Sequence, residues 1–375
     1  MTLMVRDEAD IIGAMLEHHF AQGIDHMIVT DNASVDGTRE ILETYAEKGL
    51  ITLHHDPRHE KQQAQVVTAM AREAAEVHGA TWVLNADADE FWVAENATKT
   101  LREAFENIST EYQAFDVPVI DMTGPPAKEG SGISRLVYRD LRPTSRINEL
   151  GLHAHATPDV VFVATPEVEV AQGNHFVNVD SKGRPAPGEG IEVLHLPWRS
   201  WKQFSAKVKN AGDAYARSGL TPSPNHHGMR DYRRLNEGRL YPLYLARHPQ
   251  PEEITAAPAG TLDLDDRLAR ALTNPVEDVP VKDSEWFMQS VLAGPLLRFE
   301  GATESTAVRE AGRIVELKIS PDQIAELAHD ISETLDRELG DQLAEAREVR
   351  LQLQEMRNSR AMRIAHALGR WLPRR

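Results

Sequence analysis

The first ninety residues alternate four times between short apolar runs and helical periodicity, and few folds accommodate that order. Thr2-Leu3-Met4-Val5 reads as a strand, after which Ile11, Ile12, Met15, Leu16, His19 and Phe20 recur at helical spacing until Gly23. Met27 to Thr30 is a second strand, and Asp36-Gly37-Thr38 opens a second helix carrying Ile41, Leu42 and Tyr45, with Asp36 or Thr38 able to cap it. Leu50 to Leu53 is a third strand. A helix from about Gln62 to Val77 then leads to a fourth strand, Thr81 to Leu84. Such alternation is the pattern of a parallel sheet covered by helices, whose ligands bind beyond the carboxyl ends of the strands. All four ends here carry polar groups: Arg6-Asp7-Glu8, Asp31-Asn32, Asp56, and the run Asp87-Ala88-Asp89-Glu90.

That last run is the chemically pointed one. An Asp-x-Asp is cheap, since roughly one is expected by chance in a chain this long. Asp263-Leu264-Asp265-Asp266 shows as much: it has the same spacing but no preceding strand, and reads as a solvated loop or helix start. Asp87 and Asp89 differ because they end a strand whose neighbours also end in acids. The chain has no cysteine, so any metal must be held by oxygen or imidazole. Carboxylates suit Mg²⁺ or Mn²⁺, which take one or two acids together with substrate phosphates. A nucleoside diphosphate leaving group develops negative charge that such a cation neutralises. In this arrangement Asp89 holds the cation, while Asp87 reaches the ribose or shares the metal.

Several ordered motifs then resemble one family. Met4-Val5-Arg6-Asp7-Glu8-Ala9-Asp10-Ile11-Ile12, Gly23-Ile24-Asp25-His26, Asp31-Asn32-Ala33-Ser34-Val35-Asp36-Gly37-Thr38 and Asp87-Ala88-Asp89-Glu90-Phe91 are similar to the family 2 glycosyltransferases of GT-A fold. The bacterial branch that begins valine-arginine-asparagine-glutamate is the nearest in motif, and Asp7 departs from its asparagine. The resemblance covers about the first hundred residues. It implies an α/β GT-A fold, a UDP- or GDP-linked sugar donor, Mn²⁺ or Mg²⁺, and transfer to an acceptor hydroxyl with inversion. By position it puts Arg6, Glu8, Asp31, Asn32 and Asp87 at the nucleotide sugar, and Asp87 and Asp89 at the metal. Leu194-His195-Leu196-Pro197-Trp198-Arg199-Ser200, with Phe204 and Lys207, resembles the second half of the same branch. There His195 is the candidate third metal ligand, and Arg199 and Lys207 are candidates to neutralise the diphosphate. Inversion needs a base near the acceptor hydroxyl, for which Asp180, His175 and Glu189 lie in the right interval. Asp180 and His175 are the two named candidates.

Two other function classes compete. His153-Ala154-His155 and His226-His227, with Asp159 and Asp231, are residues from which a metal-dependent hydrolase site can be built, although no HExxH pattern occurs. A non-catalytic nucleotide-binding scaffold is the other. The formal net charge of -17 argues against nucleic acid as a partner. No apolar run reaches the ~18 residues needed to span a bilayer and no secretory pattern opens the chain, so the expected location is cytoplasmic.

Three segments are expected: a GT-A domain over 1–205, a mainly helical appendage over 206–330 with an unreadable stretch from Thr221 to Pro280, and a charged helix and basic tail over 331–375. The Asp336–Arg357 pattern suits assembly into a homo-oligomer. The tail from Arg357 to Leu372 alternates basic and apolar groups, which suits peripheral contact with an anionic membrane, and with it a glycan or lipid-linked acceptor near the cell envelope. The first strand starts at once, which leaves room for residues upstream.

Overall fold

The computed structural model describes residues 1–58, 63–149, 157–171, 173–218, 227–287, 289–290, 292–294, 296–297 and 300. Two compact units divide the chain, Met1–Ser290 and Val291–Arg375, and the second falls almost wholly outside the described residues. The charged helix and the basic tail therefore lie outside them too.

The alternation predicted for the first ninety residues is present. Strand β1 (Thr2–Val5), helix α1 (Ile12–Ala21), β2 (Met27–Asp31), α2 (Thr38–Glu47), β3 (Ile51–His55), α3 (Gln63–Glu76) and β4 (Trp82–Ala86) follow one another. The parallel pairs β1–β2, β2–β3 and β1–β4 form the centre of one sheet. Every residue of β2 is buried, as expected of a parallel strand covered on both faces. Successive residues feed opposite layers. Leu3 and Val29 pack with Ile12, Met15 and Leu16 of α1, whereas Ile28 and Val83 pack with Val67, Met70 and Ala74 of α3.

Past β4 the chain leaves this sheet. Asp87-Ala88-Asp89 carries it into β5 (Glu90–Ala94), which belongs to a second sheet. Helix α4 (Leu101–Phe105) then leads to β6 (Ala114–Val117), which returns to the first sheet through β10. Phe115 to Ile120 reads as one strand in the sequence but is two, β6 and β7 (Val119–Thr123). Pro118 lacks the N–H that would continue the ladder, and the chain changes sheets there. Beyond them come β8 (Ala127–Glu129), β9 (Tyr138–Asp140), helix α5 (Thr144–Glu149), β10 (Asp159–Val163) and β11 (Ile191–His195). The apolar stretch Val168 to Ala171 forms only a single bridge, between Val170 and Val177.

The boundary expected near 205 is not where the unit ends. After α6 (Trp201–Ser218) and α7 (His227–Asn236), helix α8 (Leu240–Arg247) brings Tyr244 and Leu245 against Trp198, Trp201 and Phe204. Helix α9 (Pro251–Ala256) precedes β12 (Leu262–Leu264), which pairs with β9 and so belongs to the second sheet. Helix α10 (Arg267–Ala271) and β13 (Val279–Pro280, paired with β8) follow, and residues 283–287 are again helical. Among the described residues the two main sheets have the orders β3-β2-β1-β4-β10-β6 and β12-β9-β7-β11-β5, and β13-β8 is a two-stranded third. This two-sheet α/β arrangement is GT-A-like, as the motifs implied.

Candidate active site

The carboxyl ends of β1, β2 and β4 form one rim, and the second sheet adds a row of charge beside it. In that sheet β11 runs between β5 and β7, with His195 opposite Glu90 on one side and Asp121 on the other. Cross-strand neighbours share a face, so an acid, a histidine and an acid line up across three strands. His195 Nδ1 donates to Asp121 Oδ1 at 2.9 Å, and its Nε2 lies 3.8 Å from Asp89 Oδ2. Burial opposes the imidazolium, but the Asp121 hydrogen bond and the charges of Asp89 and Asp121 outweigh it, pushing His195 up to about 9.

Asp89 is fully buried at the centre of this arrangement. Its Oδ2 accepts from Lys207 Nζ at 2.7 Å and lies 3.4 Å from Arg199 Nη1. Burial alone would raise this carboxyl, yet Lys207, His195 and Arg199 together hold it well below the usual range. Lys207 comes from α6 with nearly half its side chain exposed. Arg199 is wholly buried and also grips Glu8 and Asp10, at 2.8 Å for Asp10. Glu8 is pushed up to about 7, by burial first and by its acidic neighbours, against the pull of Arg199.

Glu8, Asp87, Asp89, His195, Arg199 and Lys207 thus lie in one cluster of interacting charges. The other predicted nucleotide contacts already have partners. Asp31 is buried and bound by Arg39 at 2.7 and 2.9 Å. The Asn32 side chain donates to the backbone oxygens of Asp56 and Arg58, and Arg6 donates to the Asn32 backbone oxygen at 2.8 Å. Asp36 and Thr38 tie the first rim loop to the second: Asp36 accepts from Ala9 N and Thr38 Oγ1 from Glu8 N. The N-cap position of α2 is Gly37, in the left-handed region, and Asp36 Oδ1 accepts from the first helical N–H, that of Thr38, at 3.0 Å.

The predicted metal trio is a different matter. Asp89 Oδ2 is held by two cations, and His195 Nδ1 is engaged by Asp121. Asp89 Oδ1 is buried without a hydrogen-bond partner, as is Asp159 Oδ2. Asp87 is driven up by burial and by Asp89, and its Oδ1 accepts from Gln63 at 3.3 Å and Asn174 at 3.4 Å. Among the described residues no three histidine, aspartate or glutamate side chains are placed to hold a metal. With Lys207 and Arg199 on Asp89 and Asp121 on His195, a metal at these residues would compete with ion pairs already formed.

Of the two base candidates, His175 lies beside the cluster, its Nδ1 3.1 Å from Asp159 Oδ1. Asp180 is exposed, and none of the described contacts brings it there. Of the competing hydrolase residues, His153, His155 and His226 lie outside the described residues, and Asp231 pairs with Arg234 at 3.0 Å. The Asp263 run is structural: Asp265 bridges Arg139 and Arg267, and Asp266 precedes α10.

Sequence reasoning missed Asp121, Arg247, Arg39 and Asp10. Arg247 of α8 lies 3.3 Å from Asp121 and 3.4 Å from Asp140, with its guanidinium 3.5 Å from the Trp198 ring centroid. Asp121 carried no local signal, because only the pairing of β7 with β11 brings it to His195.

Residues 2–135 match the model of glycosyltransferase family 92, less than half of the chain. The motifs resembled family 2, so the two agree on the glycosyltransferase class and not on the family. No curated protein matches the chain. Similar solved structures include S. aureus TarS residues 1–349, at 14% identity over 69% of this chain and 74% of that one, with a TM-score of 0.32. The same protein in complex with UDP-GlcNAc gives 12% identity, 69% and 75% coverage and a TM-score of 0.33. At such scores these likenesses have no bearing on the site. Among the described residues no helix is long and apolar enough to cross a membrane. With the family match on its first 135 residues and a GT-A-like fold beneath them, the chain is an enzyme of the glycosyltransferase class.

Proposed function

We propose that the chain moves a sugar from a nucleotide-sugar donor, UDP- or GDP-linked, to an acceptor hydroxyl with inversion at the sugar carbon. The observation that carries this reading is the half-exposed Lys207 side chain, whose ammonium sits on buried Asp89 just past the end of β4. A diphosphate at the rim would meet Lys207 directly, with the Arg199 guanidinium behind it. Burial works against the Lys207 charge, but Asp89, Glu8 and Asp87 outweigh it and hold the ammonium above its usual range. It is therefore a fixed cation at any working pH. Preorganised cations of this kind stabilise a departing diphosphate without reorganising during the reaction. The sequence of the tail further supports a glycan or lipid-linked acceptor.

The test is nucleotide release from UDP-glucose, UDP-GlcNAc and GDP-mannose, with thermal melts in UDP and GDP. Stabilisation by one nucleotide and its release from the matching donor are expected. A chain that is stabilised by neither nucleotide and turns over no donor would refute the proposal. Binding without turnover would instead support the scaffold.

A further inference from the structure

His175 stands on a turn that keeps one edge of its ring clear. The bridge between Val170 and Val177 closes the loop around it, and Asn174, buried and in the left-handed region at φ +63°, reaches Asp87 with its side-chain amide. Gly173 is left-handed as well, at φ +89°. A Cβ at Gly173 would lie 3.2 Å from His175 Cδ2 and 3.3 Å from Nε2, so any side chain there would crowd that edge of the imidazole. The opposite edge is tethered. Nδ1 lies 3.1 Å from Oδ1 of Asp159, a residue only 1% exposed. The tether has a structural origin: β10 pairs antiparallel with β4, Val163 opposite Trp82 and Val161 opposite Leu84, so the start of β10 comes level with the end of β4.

Resting on the glycosyltransferase reading above, we infer that His175 is the general base that takes the acceptor proton and that Asp159 is the residue positioning it. In the tautomer with Nδ1–H donating to Asp159, Nε2 carries the lone pair that a base needs on a side chain about one-third exposed, and the Pro158 backbone also lies within hydrogen-bond reach of the ring. The acceptor O–H gives its proton to Nε2 as the oxygen bonds to the sugar carbon. The bond from that carbon to the diphosphate breaks, and its electron pair leaves on the diphosphate, which faces Lys207. The charged groups around the imidazole are Asp159 at Nδ1, Asp87 across the site, and His195 beyond it. Glu90 stands next to Asp159. Asp180 has neither the tether nor the cleared edge.

The experiment uses the full chain and whichever of UDP-glucose, UDP-GlcNAc and GDP-mannose the wild type turns over, with water or a supplied sugar as acceptor. His175→Ala should lower kcat by about 100-fold or more while the donor KM stays within about twofold, and added imidazole should restore a measurable part of the rate. His175→Gln, closer in volume, should show the same loss with an unchanged melting temperature, which separates chemistry from folding. Asp159→Asn should lower kcat and shift the pH–rate profile, because an amide cannot hold the same tautomer. Rates within about threefold of wild type for both His175 variants, or a loss that imidazole leaves untouched, would overturn the inference alone. A wild type that turns over no donor and is stabilised by neither UDP nor GDP overturns the glycosyltransferase reading, and this inference with it.

Discussion

Arg199 separates two roles that the sequence could not. If it were chiefly a phosphate contact, its removal would weaken donor binding and leave the fold alone. The structure puts it instead under the rim, fully buried, against Glu8, Asp10 and Asp89. Removing one partner of a buried ion cluster leaves uncompensated charge and costs about 3–5 kcal/mol. Arg199→Met, which keeps much of the aliphatic stem, should therefore lower unfolding free energy by about that amount and the melting temperature by roughly 6–15 °C. The loss should depend on pH with a definite sign. Glu8 has a folded value of about 7 against an ordinary 4.5, so its contribution to stability is full below about 4.5 and is lost as pH rises through 7. Without Arg199 that carboxyl rises further, so the gap between variant and wild type should widen from pH 5.5 to 8.5. Adding Glu8→Gln should recover a good part of the loss, since replacing both members of a buried pair is far cheaper than stranding one. Urea denaturation followed by tryptophan fluorescence measures all three. A loss under about 1 kcal/mol at pH 8.5, or no recovery in the double variant, would refute the keystone role.

Three further outcomes follow from the same geometry. Lys207→Ala should expose Asp89 to other cations, so that Mn²⁺ affinity, read by calorimetry, improves by roughly tenfold, the equivalent of one charge-assisted hydrogen bond removed; unchanged affinity would mean that Lys207 does not compete there. His195, raised to about 9, contributes stability that is full below its ordinary 6.5 and lost as pH rises through 9. In Asp121→Asn the imidazole should titrate lower by NMR, and an unmoved titration would argue against the Asp121 contact. Gly132→Ala should destabilise by roughly 2–3 kcal/mol, because Gly132 is left-handed at φ +77° and a Cβ would lie 2.8 Å from Arg199 Cβ; a neutral melt would show that the loop gives way.

Much of the donor side was legible because its information is local. Each rim group follows its own strand within a few residues, so the apolar runs ending at Val5, Thr30 and Leu84 indicated where Glu8, Asp31 and Asp87 would stand. The second sheet was not legible in the same way. Its order takes strands from five separated parts of the chain, and Asp121 meets His195 only through that order. Pro118 was visible, but a proline that changes sheets looks no different in sequence from one that ends a strand. Spacing and strand-end context show that two acids are close and say nothing about which cations already sit on them. Lys207 was named as a partner for phosphate; its first partner is Asp89.

The chain passes from the first sheet to the second twice in this region, through Asp87-Ala88-Asp89 and through Pro118. Both crossings are short, so the acidic run acts as a weld between two plates. Any slip of one plate over the other would shear the 2.7 Å contact from Asp89 to Lys207 before a single strand came apart. A remote substitution that loosens the seam should therefore appear first as altered ion pairing at Asp89, with circular dichroism still unchanged.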